Sequence, residues 1–149
     1  MTRAIAEANR DDWPVAGEII QPKKFGPFTY DALAHYAAAS GDDNPLHLDR
    51  EAAAWAGLDG SPVHGMLMLS YFESLLMSWR QDFFIVKFSA KFLQPVLVGQ
   101  SIILAGRVLR SLPGLDAGLL LRLTARDEEG GLVILAEATA ARQDNDLRT

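Results

Sequence analysis

The stretch from Gly65 to Trp79 is apolar on most of its sides, and few folds can accommodate that. Read at helical spacing, Met66, Leu67, Met68, Leu69, Tyr71, Phe72, Leu75, Leu76 and Met77 nearly encircle it. A helix with so little polar surface must be surrounded by protein. The residues that follow have a different period. Segments 83–93, 100–112, 119–126 and 132–142 are long apolar-rich runs. Alternation is clearest at Phe84, Val86, Phe88 and Ala90, with Lys87, Ser89 and Lys91 between them. Turn residues separate the runs: Gln94-Pro95-Val96-Leu97-Val98-Gly99, then Leu112-Pro113-Gly114, then Asp127-Glu128-Glu129-Gly130-Gly131. Such runs predict antiparallel strands joined by hairpins. A buried helix followed by an antiparallel meander predicts an α+β fold, a sheet wrapped around a long central helix.

Before the helix the chain is punctuated more often. Residues 17–28 hold two short extended pieces split by Gln21-Pro22-Lys23-Lys24. Thr29 is a good helix cap with Asp31 in the first turn, so Tyr30 to Ser40 is predicted helical and stops at Gly41. Leu33, Tyr36 and Ala37 share one face of it. Asp49 caps a second short helix, 50–56, which stops at Gly57. Residues 1–13 read as a polar lead-in, and residues 1–149 as a single domain without internal repeats.

Composition removes several function classes. The 149 residues are 49% apolar and 22% charged, an ordinary globular balance. A chain of this length buries roughly 70% of its unfolded surface, enough for a core. Net charge is −5 with both signs mixed along the chain, and no basic stripe of the kind nucleic acids require is present. The apolar runs stop short of the ~18 residues that suggest a membrane span. The polar N-terminus lacks the apolar core of a signal peptide. There is no cysteine, which excludes disulfides and thiolate metal sites and fits the cytoplasm. The three histidines include no i,i+4 helical pair, so no metal or other cofactor is expected.

Chemistry concentrates in Ser40-Gly41-Asp42-Asp43-Asn44-Pro45-Leu46-His47-Leu48-Asp49. A carboxylate and an imidazole are well suited to passing protons near neutral pH. Gly41 tolerates the left-handed geometry of a helix end. Pro45 forces Asn44 out of helical geometry, so the chain turns sharply between Asp42 and His47. Further on, Ser61-Pro62-Val63-His64-Gly65-Met66-Leu67 opens the apolar helix. An acid/base pair plus a glycine at a helix start suggests a site that handles a carbonyl.

Gly41-Asp42-x-Asn44-Pro45-x-His47-x-Asp49, followed by His64-Gly65-Met66-Leu67, resembles the hydratase motif of MaoC-like proteins. These are (R)-specific enoyl-CoA hydratases and (3R)-hydroxyacyl-thioester dehydratases. Phe92-Leu93-x-Pro95-Val96-x-Val98-Gly99 resembles the family segment after the helix, so the likeness runs from about Phe25 to Ala141. The resemblance implies a hotdog fold, in agreement with the periodicity. It implies a lyase that adds water reversibly to trans-2-enoyl thioesters of coenzyme A or acyl carrier protein. Asp42 and His47 would be catalytic, holding and activating one water. The Gly65 N–H would bind the thioester carbonyl, with His64 and Asn44 completing the substrate-binding set. A homodimer or larger assembly is implied too.

The residues taken singly also have plainer readings. His64 can be a hydrogen-bonded residue that fixes the helix start, and Gly65 can serve close packing. Asn44 can fasten the turn through its side chain. Trp13, Trp55 and Trp79 read as packing residues, and Met66, Met68 and Met77 as core. Glu73 departs from the pattern, because some family members carry a serine at that place on the helix. Two other functions share the fold. One is an acyl-thioesterase, for which Glu73 is the sole carboxylate on the central helix. The other is a non-catalytic acyl-binding subunit of a heteromeric dehydratase.

Overall fold

The computed structural model describes residues 12–114 and 118–143. The lead-in expected over 1–13 therefore lies almost wholly outside the described residues. Strand β1 (Ile19–Phe25) comes first. Helix α1 (Tyr30–Ser40), the single turn α2 (Pro45–Leu48), α3 (Arg50–Trp55) and the long helix α4 (Gly65–Trp79) follow. Four strands complete the order: β2 (Phe83–Phe92), β3 (Ile102–Leu112), β4 (Gly118–Asp127) and β5 (Leu132–Arg142). Among the described residues no helix is long and apolar enough to cross a membrane.

All five strands form one antiparallel sheet in the order β1-β3-β4-β5-β2. The two hairpins β3–β4 and β4–β5 are local, as the turn residues predict. β1 and β2 close the two edges from far away in sequence. Period-2 burial is strict in the centre of the sheet. Leu119, Leu121, Leu123 and Ala125 on β4 are buried, as are Ile134, Ala136, Ala138 and Ala140 on β5. In register, Leu121 lies opposite Ala138, and Ala138 lies opposite Phe88 of β2. Large side chains thus flank small ones across the inner face, which makes room for a helix.

Helix α4 fills that room. Its Met68, Phe72, Leu75 and Leu76 are buried in one cluster with the inner sheet residues. Aromatic contacts tie it at both sides: Phe72 to Phe88 at 5.6 Å, and Tyr71 to Phe25 at 4.8 Å. At its C-terminal end Trp79 stacks on Phe83 at 6.1 Å. Arg80 pairs with Asp82 at 2.7 Å and with Asp12 at 3.3 Å, fastening the incoming chain beside Trp13. The wrapped-helix arrangement agrees with the sequence reading.

Four details differ from that reading. β1 is one strand, not two pieces; its register slips between Ile20 and Lys23, where Pro22 withholds a donor. β2 carries a similar irregularity between Ile85 and Lys87. An extra residue there reverses the inward face. Phe83 is buried while Phe84 and Val86 are exposed, so the expected common face of Phe84, Val86, Phe88 and Ala90 is broken. Trp55, expected to pack, is 91% exposed. Helix α4 is also not covered all round in one chain: Met66 is 61% and Met77 56% exposed, with Ser70 and Glu73 exposed on the same stripe.

Candidate active site

The first half of the site grows from the end of α1. Gly41 adopts φ +79°, the left-handed geometry that ends the helix, and its N–H donates to the Ala37 carbonyl. The Asp42 N–H donates to Ser40 Oγ at 3.1 Å, turning the chain outward. Asn44 then caps α2, its Oδ1 accepting from the Leu46 N–H at 3.1 Å. Pro45 occupies the first helical position, where a missing N–H costs nothing. This one turn, read from sequence as a bend only, carries His47 back toward Asp42. The Asp42 side chain is 51% exposed and that of His47 17%.

The second half comes from the approach to α4. The Val63 N–H donates to the Val96 carbonyl at 2.7 Å, and the Val98 N–H to the Ser61 carbonyl at 2.9 Å. The turn at 94–99 therefore clamps residues 61–63 against it. Tyr30 also donates its hydroxyl to the buried Ser61 Oγ at 3.1 Å. Held this way, the Pro62 carbonyl accepts from His47 Nδ1 at 2.7 Å. A carbonyl can only accept, so Nδ1 carries the hydrogen, and in the neutral imidazole the lone pair is on Nε2. That Nε2 faces Asp42 Oδ2 at 3.9 Å. The gap is too long for a direct hydrogen bond. It is short enough for one water to bond to both groups.

His64 lies behind this pair and is 1% exposed. Its Nε2–H donates to the Asp42 carbonyl at 3.0 Å. Its ring stacks on that of His47, with centroids 3.9 Å apart and planes 25° apart. Tyr36 presents an edge to it at 4.7 Å. Burial pushes the His64 imidazole below the ordinary histidine range; the bond to Asp42 opposes this and the neighbouring His47 reinforces it. Among the described residues His64 Nδ1 has no hydrogen-bond partner although it is buried. Such an orphaned acceptor costs about 1–3 kcal/mol. One ligand atom each from Asp42, His47 and His64 lies within 4.8 Å of the others, close enough for a metal. Stacked rings, however, hold their lone pairs in nearly parallel planes, so a shared ion requires one ring to turn.

Gly65 is the first residue of α4, and the His64 side chain makes no cap bond to the helix. The first-turn N–H groups are left uncapped by a side chain, at the positive end of the helix dipole. A Cβ built at Gly65 would sit 2.7 Å from Phe92 Cε1, so the absence of a side chain lets that ring lie over the helix start. Pro62, Val63, Gly65, Met68, Phe92 and Leu93 line a cavity of about 350 Å³ there.

Asp42, His47 and His64 are thus brought together, and Gly65 follows His64 directly in sequence. Asn44 is occupied in capping the turn. Glu73 lies on the exposed stripe of α4. Sequence reasoning missed Tyr36, Phe92, Ser61 and the Pro62 carbonyl. Phe92 belongs to the segment after the helix in sequence, but its place over Gly65 is set by packing. A backbone carbonyl carries no residue-type signal at all.

The model of the family described as MaoC like domain matches residues 14–110. A mitochondrial 3-hydroxyacyl-[acyl-carrier-protein] dehydratase of Arabidopsis thaliana is 37% identical over 76 residues, 51% of this chain and 46% of that protein. A mitochondrial protein of the same description from Solanum lycopersicum is 31% identical over 120 residues, 79% of this chain and 72% of that protein. The chain thus matches less than half the length of the Arabidopsis protein. Among solved structures, the (R)-hydratase from A. caviae involved in PHA biosynthesis superposes with a TM-score of 0.74 at 29% identity, covering 85% of this chain and 97% of that one.

Proposed function

The chain belongs to the MaoC-like domain family and has the hotdog fold, and we propose that it is a lyase adding water reversibly to trans-2-enoyl thioesters. The observation that carries this reading is the 3.9 Å gap between His47 Nε2 and Asp42 Oδ2. With His47 neutral both atoms are acceptors, so one water donates a hydrogen bond to each and gives up a single proton when it reacts. As the water oxygen attacks Cβ, electrons move to the thioester oxygen. The uncapped N–H at Gly65 stabilises that negative charge. The group that takes the water proton returns it to Cα, and the thioester carbonyl re-forms. Net, OH is added at Cβ and H at Cα. One water held on one side delivers both to the same face, and the (R) configuration of the 3-hydroxyacyl thioester is the one named for the relatives. The reverse sequence dehydrates it. The substrate class, an acyl thioester of coenzyme A or acyl carrier protein, is that named for the relatives.

The hydrolytic alternative relied on Glu73, which the fold leaves on the outer stripe of α4, and no observation favours it. Pure protein given a short trans-2-enoyl-CoA is expected to remove the enoyl-thioester absorbance and yield the (R) alcohol without free thiol. Thiol release, or an (S) product, overturns the reading. Residence in the cytoplasm belongs to the same proposal, on the strength of the cysteine-free composition, and cell fractionation checks it.

A second copy of this chain completes the picture. Met66 and Met77 on α4, and Phe84 and Val86 on the edge strand β2, are apolar and exposed in the single chain. A ten-residue edge strand with an unpaired side and apolar neighbours invites association. We therefore expect light scattering at micromolar concentration to give at least twice the 16.3 kDa chain mass. A monomer counts against the assembly.

A further inference from the structure

We infer that His64 is a positioning residue, whose ring and Nε2–H together hold the His47 imidazole and the Asp42 backbone in the arrangement that lets both grip one water. This inference rests on the hydration reading above.

The place of His64 in the helix does not explain it. It sits at the N-cap of α4, where Ser, Thr, Asp or Asn would bond to the first turn, yet its side chain makes no cap bond. It turns instead toward the acid/base pair. One nitrogen is used on the Asp42 carbonyl. One face is used on His47. The other nitrogen, Nδ1, is buried with no partner among the described residues. A fold that wanted only filling at this point could use phenylalanine, which carries no buried nitrogen, but it would take the donor away from the Asp42 carbonyl. The imidazole is kept despite that cost, so its value lies in the two contacts it makes.

The division of labour is specific. His47 is fixed at Nδ1 by the Pro62 carbonyl, which still allows the ring to pivot about that bond. A flat ring 3.9 Å away removes the pivot and aims Nε2 at Asp42. Asp42 itself stands on an exposed turn, anchored near its backbone by Ser40 on one side and by His64 on the other. His64 does not hand protons on. A proton on Nδ1 would have no acceptor among the described residues and would place a charge beside His47, in line with the lowered basicity that burial gives the ring. Its effect reaches the reaction through the two groups it holds.

The test compares His64→Phe, which keeps a flat ring and loses the donor, with His64→Gln, which keeps a donor and loses the stack. Both are expected to lower kcat about tenfold or more, the scale of a small misplacement of catalytic groups. KM should change by less than about twofold, because the helix start and the cavity are untouched. His64→Phe should melt near the wild-type temperature, since removing the orphaned Nδ1 offsets the loss of the Nε2–H bond to the Asp42 carbonyl. Nitrogen NMR of the wild-type protein should show His64 in the Nε2–H neutral form down to mildly acidic pH and His47 in the Nδ1–H form. In His64→Gln, which loses the stack, the His47 signal should become a mixture of forms, whereas His64→Phe should preserve it. A folded His64→Phe that keeps wild-type kcat overturns the inference. So does a His64 ring that titrates in the ordinary histidine range, a result the wild-type spectrum gives even where neither variant folds. An inactive wild-type protein with the expected spectrum overturns the hydration reading instead.

Discussion

Replacing Asp42 by Asn is expected to reduce enoyl-thioester turnover by at least ~100-fold, the usual worth of a general acid/base group. His47→Asn is expected to do the same, and it is the cleaner histidine variant. Its amide nitrogen can take the place of Nδ1 and donate to the Pro62 carbonyl, so no acceptor is orphaned. What it lacks is a ring nitrogen facing Asp42. Folding should survive both changes, because Asp42 is half-exposed and His47 sits on a single turn outside the core cluster. The two losses should not multiply in the double variant, because both groups act on one water. Loss of enoyl absorbance measures turnover, and thermal melting checks the fold. Near-normal hydration by Asp42→Asn would mean that the wrong carboxylate has been chosen.

Much of the architecture was legible because it is local. Thr29 and Gly41 bound α1 where expected, since cap geometry is written in neighbouring residues. The central helix runs from Gly65 to Trp79 as its apolar pattern requires. Strands β4 and β5 form where the apolar-rich runs at 119–126 and 132–142 predict them. What was not legible is non-local or backbone-borne. Nothing near residue 83 says that β2 joins the far edge beside β5 while β1 joins β3. The bulge in β2 has no marker residue, and it alone decides that Phe84 and Val86 face outward.

The site divides along the same line. The residue types and spacing pointed to Asp42 and His47, and the structure brings the two side chains to 3.9 Å. The stack of His47 on His64 depends on how residues 61–63 are clamped by residues 94–99, two segments with no sequence pattern in common. Glu73, a carboxylate on an otherwise apolar helix, is exposed on the stripe where the apolar encirclement of α4 fails. An apolar pattern all round a helix thus identified burial on three sides correctly. The fourth side, with Met66 and Met77, is where a second copy is proposed to pack.

The second large effect is expected at a residue with no side chain. Gly65→Pro deletes the N–H proposed to meet the thioester oxygen, and losing one such donor typically costs on the order of 3 kcal/mol, about 10²-fold in kcat. Proline is well tolerated at the first position of a helix. The preceding residue must then be extended, and His64 already is, at φ −54° and ψ 127°. The obstacle is steric. Any Cβ at this position approaches the Phe92 ring to 2.7 Å, so both Gly65→Pro and Gly65→Ala would displace it. Phe92 ends strand β2 and is half-exposed, so its ring can swing aside or be trimmed. The comparison is therefore made in a Phe92→Leu background. There Gly65→Ala keeps the N–H and is expected to retain most of the activity of the background. Gly65→Pro in the same background should lose about 10²-fold in kcat, with circular dichroism reporting an intact helix. Equal activity of the two double variants would remove the backbone N–H from the mechanism and leave Asp42 and His47 to act without it.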